Sequence, residues 1–380
     1  MIDLLVVGGG PVGLATAIGC ARAGLSVTVA EPRAAPTDKA CGEGLTPAAI
    51  RRLAALGVDP GGHPLRGIRY LDGNHQADAL YRHHPGRGVR RTTLHAALSE
   101  RAAELGVEVV PVRVTSFTQH ADHVTAAGLE SRYLVGADGL QSRIRKACVL
   151  ADEDPGPGTG PGPGRGAGPG PGRARRGQAR YGLRRHYRVA PWTDMVEVHW
   201  TARAEAYVTP VADDLVGIGL LFAKPARDGQ PDDTARDGRP DGARDDFESR
   251  LGVFPALLDR LAGAAPASTV RGAGPMRQDV SRRVYGRVLL VGDASGYVDA
   301  LTGEGISVGL AQAQALARCL ADGRPADYES AWHRVSRPAW RLTGGLLWSR
   351  NRPLLAPRIV PAAAHLPWLF TALVNHAAEA

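Results

Sequence analysis

The chain has 380 residues, 44% of them hydrophobic and 5% aromatic, with 46 Lys and Arg against 38 Asp and Glu for a net charge of +8. That length suits two domains, or one large α/β domain with a subdomain, and either buries a sizeable core. Its 48 Gly and 28 Pro, about a fifth of the chain, exceed ordinary usage, but the excess is local, which excludes a fibrous or wholly disordered polypeptide.

In chain order, Asp3-Leu-Leu-Val-Val7 predicts a buried strand, and Pro11 to Ala23 a helix stopped by Gly24. Leu25 to Ala30 reads as the next strand, Leu94–Leu105 as a helix and Val107–Val110 as a further strand. Pro155 to Gly172 contains nine Gly and six Pro in 18 residues, a composition with no apolar side chains to offset ordering, so a flexible loop is expected. Segments 181–189, 195–201, 205–211 and 215–223 predict an antiparallel sheet. Arg227 to Asp246 repeats Ala-Arg-Asp and reads as a solvated insertion. Val288–Val291 predicts a strand again, followed by an apolar helix from Gly305 to Leu320. The pattern is a nucleotide-binding α/β fold, interrupted by a sheet domain and completed near residue 290.

Gly8-Gly9-Gly10-Pro11-Val12-Gly13 follows the first strand and opens the first helix, and Glu31 closes the second strand. Gly8 permits the tight turn, Gly10 the approach of a pyrophosphate to the backbone, and Gly13 close helix–strand packing. The helix N-terminus favours the diphosphate charge, and a carboxylate at 31 accepts ribose hydroxyls. These residues predict binding of an ADP-containing dinucleotide. Val135-Gly136-Ala137-Asp138-Gly139 and Val291-Gly292-Asp293-Ala294 place acids at two further strand ends. Thr302-Gly303-Glu304-Gly305-Ile306 then opens the last helix of the fold, whose N-terminus favours negative charge on a bound ring.

On these motifs the sequence resembles the FAD-dependent oxidoreductases of para-hydroxybenzoate-hydroxylase type. Lys39-Ala-Cys41-Gly42-Glu43-Gly44-Leu45 and Leu301-Thr-Gly303-Glu304-Gly305-Ile306 are similar to the geranylgeranyl-reductase-related branch. The resemblance runs from residue 2 to about 350, outside the two low-complexity loops. It implies a split Rossmann-like FAD-binding domain of GR2 type, with an inserted antiparallel β-sheet substrate domain and a C-terminal helical segment. The expected boundaries are FAD-binding parts at 1–70, 91–150 and 281–325, a substrate-domain hairpin at 71–90 and the Gly/Pro-rich loop at 151–180. The capping sheet is expected at 181–280, with an insertion at 225–247, and the C-terminal helices at 326–380.

The resemblance further implies non-covalent FAD with NAD(P)H as reductant. Its cofactor contacts carry over to Gly8, Gly10, Pro11, Val12, Gly13, Glu31, Pro32, Arg33, Cys41, Gly42, Arg91, Asp138, Gly139, Gly292, Asp293, Gly303, Gly305 and Ile306. Cys41 is expected to line the pocket rather than act as a covalent catalyst. His186 and Tyr207 join it as catalytic candidates, because a base is needed to deprotonate a phenol. Tyr187, His199, Trp200, Thr209 and Pro210 are further substrate-side candidates.

The family's chemistry implies two readings. The first is monooxygenation of a lipophilic, phenol- or polyketide-like molecule, since Val298-Asp299-Ala300 departs from many prenyl-lipid reductases. The alternative is reduction of C=C bonds in an isoprenoid or other hydrophobic substrate. Halogenation is not expected: the Trp-x-Trp-x-Ile-Pro motif of flavin-dependent halogenases is missing, and Pro191-Trp192-Thr193 does not replace it.

Cysteines at 20, 41, 148 and 319 form no CxxC pair, no basic leader precedes Ile2, and no run of about 18 apolar residues occurs, so a reduced cytoplasmic protein is expected. The bases are scattered and no His/Cys/carboxylate set has ligand spacing, so neither nucleic acid nor metal is expected. Trp332, Trp340 and Trp348 recur every eight residues; core packing is the expectation, with a peripheral membrane contact through the Arg-rich C-terminal segment as the alternative.

Overall fold

The computed structural model describes residues 1–153, 179–223 and 247–379. The Gly/Pro stretch at 155–172 and the insertion read at 227–246 lie outside the described residues.

The first sheet is built on β1 (Ile2–Val7), with β2 (Val27–Ala30) and β11 (Leu129–Gly136) pairing to it in parallel on either side. Leu4, Leu5 and Val6 are fully buried, as expected of a parallel strand covered on both faces. β8 (Glu108–Val110) extends the sheet beyond β2, β9 (Thr118–Gln119) and β10 (Val124–Ala126) add an antiparallel ribbon to β11, and β19 (Val288–Leu290) pairs in parallel with β11 and antiparallel with β18 (Val284–Tyr285). A segment some 150 positions downstream therefore completes the N-terminal fold, as the sequence predicts.

The second sheet, the cap, runs β12 (Arg180–Arg188), β15 (Leu215–Ala223), β14 (Ala204–Ala212), β13 (Val196–Trp200), β5 (Gly67–Leu71) and β6 (Gln76–Leu80), with the short β16 (Ala265–Pro266) and β17 (Arg271–Ala273) on the free edge of β12. Its first four strands are antiparallel, but β13 pairs in parallel with β5, so the sheet is mixed rather than antiparallel throughout. The hairpin expected at 71–90 starts earlier. Asp72 Oδ1 accepts from the Asn74 and His75 amides to make the turn, so residues 67–71 form its first strand. β7 (Gly86–Gly88) leaves this sheet for a small one with β3 (Gly44–Leu45) and β4 (His63–Leu65).

Helices α1 (Pro11–Arg22), α2 (Pro47–Ala55), α3 (Arg91–Glu104) and α4 (Arg143–Glu153) belong to the first half of the chain. In the second half come α5 (Pro255–Arg260), α6 (Gly305–Ala321), α7 (Tyr328–Arg350), α8 (Ile359–His365) and α9 (Pro367–Glu379). α1 and α6 pack closely because Gly309 leaves room for Val12: a Cβ at 309 would lie 2.4 Å from Val12 Cγ2. That contact brings the N-terminal ends of both helices to one cleft.

The three tryptophans of α7 do not share a face. Eight residues turn a helix by about 80° beyond two full turns. Trp332 is accordingly buried against Trp340, with ring centroids 5.1 Å apart, while Trp348 is exposed. Among the described residues no helix is long and apolar enough to cross a membrane.

Candidate active site

The cleft begins at the turn after β1. Gly8 has φ 109°, and a Cβ there would meet the Ala137 carbonyl oxygen at 2.6 Å, so the turns after β1 and β11 are packed backbone to backbone. Gly13 is tighter still, its Cβ position lying 1.9 Å from Gly8 O. Gly10 differs: it caps α1 in an extended conformation, with Pro11 as the first helical residue, and the one atom near its Cβ position is Arg91 Nη2 at 3.5 Å. Arg91 Nε is buried without a hydrogen-bond partner. An open glycine amide at a helix N-terminus, facing an arginine with an unspent donor, fits a diphosphate.

Glu31 is buried at the end of β2, accepting from Gly9 N at 3.0 Å and pairing with Arg33 Nε at 2.8 Å. Burial pushes its carboxyl up, but Arg33 and the Gly9 amide more than offset this and hold it below the usual carboxylate range. Arg33 is turned onto Glu31, and Pro32 between them is exposed. Asp138 accepts from the Arg143 amide at 2.7 Å and bonds Ser142 Oγ, so its carboxylate caps α4, with Gly139 beside it at φ 82°. Gly292 lies against α1, where a Cβ would come 3.2 Å from Val12 Cγ1, and with Asp293, Thr302 and Gly305 it lines a small cavity between α6 and α7. Gly303, at φ 70°, has nothing within 4 Å of its Cβ position, which is room for a planar ring against the backbone, and Ile306 follows half-buried in the first turn of α6. These positions fit an FAD extended from α1 to α6.

The Cys41–Gly44 loop is held by the cap sheet. Glu43 adopts φ 59°, uncommon for a residue with a Cβ, and is buried. Its Oε1 accepts from the Arg91 amide at 2.8 Å, and its Oε2 lies 2.6 Å from His186 Nε2. Arg184 Nη1 is 3.0 Å from His186 Nδ1; because a guanidinium only donates, Nδ1 accepts and the ring proton sits on Nε2, toward Glu43. Thr209 Oγ1 donates to Gly42 O at 2.8 Å. Cys41 Sγ accepts from the Glu43 amide at 3.4 Å, and burial pushes its thiol up despite the opposing charge of Arg91. A neutral thiol is the result.

Both ring nitrogens of His186 are engaged and its side chain is fully buried, so it positions the loop instead of facing a substrate. Tyr207 donates its phenol proton to Leu301 O at 2.7 Å, and burial raises that phenol well above its ordinary value. Tyr187 is likewise raised, to about 12, by burial. His199 lies 3.4 Å from Glu197, and Trp200 packs on Tyr70 with centroids 5.2 Å apart. Pro210 O sits against Gly88, where the cap sheet meets β7.

Sequence reasoning passed over Glu304 as a site residue. It caps α6, is buried, and neither carboxylate oxygen makes a hydrogen bond. The Thr302 hydroxyl nearby favours the anion but is engaged with Thr343 Oγ1 at 2.8 Å. Burial dominates and pushes the Glu304 carboxyl up to about 7. Burial raises the phenols of Tyr70, Tyr81 and Tyr297, and the charge of Glu304 adds a lesser push to each. A carboxylate between two glycines at the start of an apolar helix was the available signal.

Residues 1–156 match the family described as FAD binding domain. The menaquinone reductase of Mycobacterium tuberculosis (strain CDC 1551 / Oshkosh) is 29% identical over 397 residues, covering 98% of this chain and 89% of that protein. The FAD-dependent monooxygenase pynG of Aspergillus niger is 31% identical over 178 residues, 40% of each chain. Among solved structures, the flavin-dependent brominase Bmp2 superposes with a TM-score of 0.74 at 18% identity, over 100% of this chain and 93% of that one. Residues 1–156 thus match an FAD-binding domain, and the chain as a whole fits the FAD-dependent oxidoreductase superfamily, to whose members it is similar in sequence and in fold.

Proposed function

We propose that this oxidoreductase is a reductase that saturates a C=C bond in a hydrophobic, isoprenoid- or quinone-like substrate, with NAD(P)H as the external reductant. Glu304 is the observation that carries this reading: a buried carboxyl, unpartnered and neutral below about pH 7, at the helix end where the flavin ring is expected. Monooxygenation, the first reading from sequence, needs a base for the phenol. His186 and Tyr207 are committed to Glu43 and to the Leu301 carbonyl.

Bound FAD supplies a hydride equivalent drawn from NAD(P)H. The chain's own part is the proton. Saturating a C=C bond adds one hydride and one proton, and Glu304 holds a proton on its carboxyl in a cavity that it lines together with Tyr297. The N-terminal field of α6 stabilises the carboxylate left after transfer. Asp299, whose presence set the chain apart from many prenyl-lipid reductases, lies 3.0 Å from Arg180 Nε and accepts from Leu301 N at 3.1 Å. It ties the loop before α6 to the cap sheet, a positioning task compatible with reduction. The whole-length likeness to a menaquinone reductase, against a partial likeness to a monooxygenase, supports the same reading.

Anaerobic incubation of the holoenzyme with NAD(P)H and isoprenoid quinones tests it. A product that remains heavier by two hydrogens after its quinone ring is reoxidised in air is expected, which separates a saturated C=C bond from simple quinol formation. Glu304→Gln should lower kcat by about 10²-fold or more while reduction of the flavin by NAD(P)H persists, and the decline of kcat above pH 7 should vanish in the variant. An oxygenated product labelled from ¹⁸O₂, with no saturated product under anaerobic conditions, overturns the reading.

A further inference from the structure

The C-terminal helices expose an unusual amount of apolar surface for a chain in water. Trp368 is 69%, Leu354 76% and Trp348 55% exposed, and Leu366, Leu369 and Leu373 join them. α9 packs on both α8 and α7, so these side chains lie on adjoining elements. Large aromatic and leucine side chains left together in solvent mark an interaction surface.

Charge identifies the occupant. Between residues 330 and 378 there is no Asp or Glu, whereas arginine occurs at 334, 337, 341, 350, 352 and 358. Arg350 is buried on Glu205, and the other five are exposed. Two of these belong to the apolar patch itself. Arg352 lies over the Trp348 ring at 4.9 Å, and Arg358 donates to the Leu354 carbonyl. Exposed indoles and leucines interleaved with arginines and free of carboxylates match the headgroup layer of an anionic bilayer, where apolar side chains enter the acyl boundary and cations meet lipid phosphates.

We propose that α7, α8 and α9 dock the protein on the surface of an anionic phospholipid bilayer. The docked face is joined to the cap. Phe370, buried in α9, packs on Tyr70 of β5 with ring centroids 4.7 Å apart, and Tyr70 shares a hydrophobic cluster with Leu301 and Tyr297. The docked face therefore abuts the aromatic cluster that reaches the cavity beside α6 through Tyr297. A lipophilic substrate would reach the cleft from the membrane rather than through water. The docking itself does not depend on which reaction the cleft performs, because it is measured without substrate.

The test is cosedimentation of the full-length holoprotein with vesicles of phosphatidylcholine alone or mixed with phosphatidylglycerol. Binding is expected on the anionic vesicles, little on the neutral ones, and less as salt rises from about 0.1 to 0.5 M. Arg352→Gln and Arg358→Gln should each weaken binding about fivefold. The pair Leu354→Ser with Trp368→Ser should weaken it on the order of tenfold or more, with FAD content and circular dichroism unchanged because these side chains are exposed. Absence of binding to either vesicle overturns the proposal. So does binding that the four substitutions leave unaltered, or a concentration-dependent dimer that Trp368→Ser dissolves, which would assign the patch to a second copy.

Discussion

His186 Nε2 of the cap sheet lies 2.6 Å from Glu43 Oε2 of the Cys41–Gly44 loop, with both side chains buried. Glu43 also receives the Arg91 amide, and Arg91 is the cation over the α1 N-terminus, so one carboxylate links the cap, the loop and the diphosphate cradle. Removing the imidazole leaves that carboxylate buried with one oxygen unpaired. His186→Ala should therefore cost about 3 kcal/mol of stability, and the holoprotein should release FAD more readily. His186→Gln, which retains a donor, should recover part of both losses. Thermal melting and FAD titration of the two variants check this; equal effects of Ala and Gln would assign His186 to packing alone.

Gly10 and Gly13 separate cofactor binding from folding. An Ala at 13 places its Cβ 1.9 Å from a backbone oxygen that has nowhere to move, so Gly13→Ala should cost at least about 3 kcal/mol. An Ala at 10 meets one flexible arginine tip at 3.5 Å, in a backbone conformation open to any residue. Apoprotein stability should change by less than about 1 kcal/mol. FAD affinity should fall on the order of tenfold to a hundredfold, because the methyl group keeps the diphosphate from the amides. Melting of apoprotein and FAD titration, measured side by side, distinguish the two glycines.

Much of this architecture is legible in the chain because it depends on local pattern. Buried parallel strands read as continuous apolar runs, and Gly8 and Gly13 occupy positions that steric contact forces. The parallel seam between β13 and β5 is not legible, since it joins residues more than 120 positions apart whose alternation is the same in either direction. Side-chain commitments are hidden for a related reason. His186 and Tyr207 sit in strands whose periodicity tells which face they share, but not that Glu43 and the Leu301 carbonyl wait there. Glu304 was overlooked because its motif names the helix start, whereas its chemistry comes from burial, which only the assembled fold supplies.

Cys41 is a weak nucleophile in this fold. Burial raises its thiol, and the opposing charge of Arg91 does not restore it, so little thiolate is available near neutral pH. Iodoacetamide should label Cys41 much more slowly than free cysteine at pH 7.5, as peptide mass analysis would register. Cys41→Ser should keep turnover within about tenfold, since the hydroxyl still accepts the Glu43 amide. Loss of turnover with FAD loading intact would instead make the thiol a reacting group.

Glu304 carries a pH signature that can be read without any substrate. Its folded carboxyl, pushed up to about 7 by burial, titrates above the ordinary glutamate value of 4.5. The folded state therefore binds more proton than the unfolded chain between those two values, and stability must fall as pH rises through that window. Below it both states are protonated, and above it both are ionised, so the penalty is absent on the acid side and constant on the alkaline side. The gap corresponds to a destabilisation of up to about 3 kcal/mol at pH 8. Glu304→Gln removes it, so the variant apoprotein should melt several degrees above the unsubstituted chain at pH 8 and alongside it near pH 4.5. Melting curves collected at half-unit intervals from pH 4.5 to 8 check the sign and the window. A difference that does not change with pH would mean that Glu304 is already paired in solution and holds no proton for the reaction.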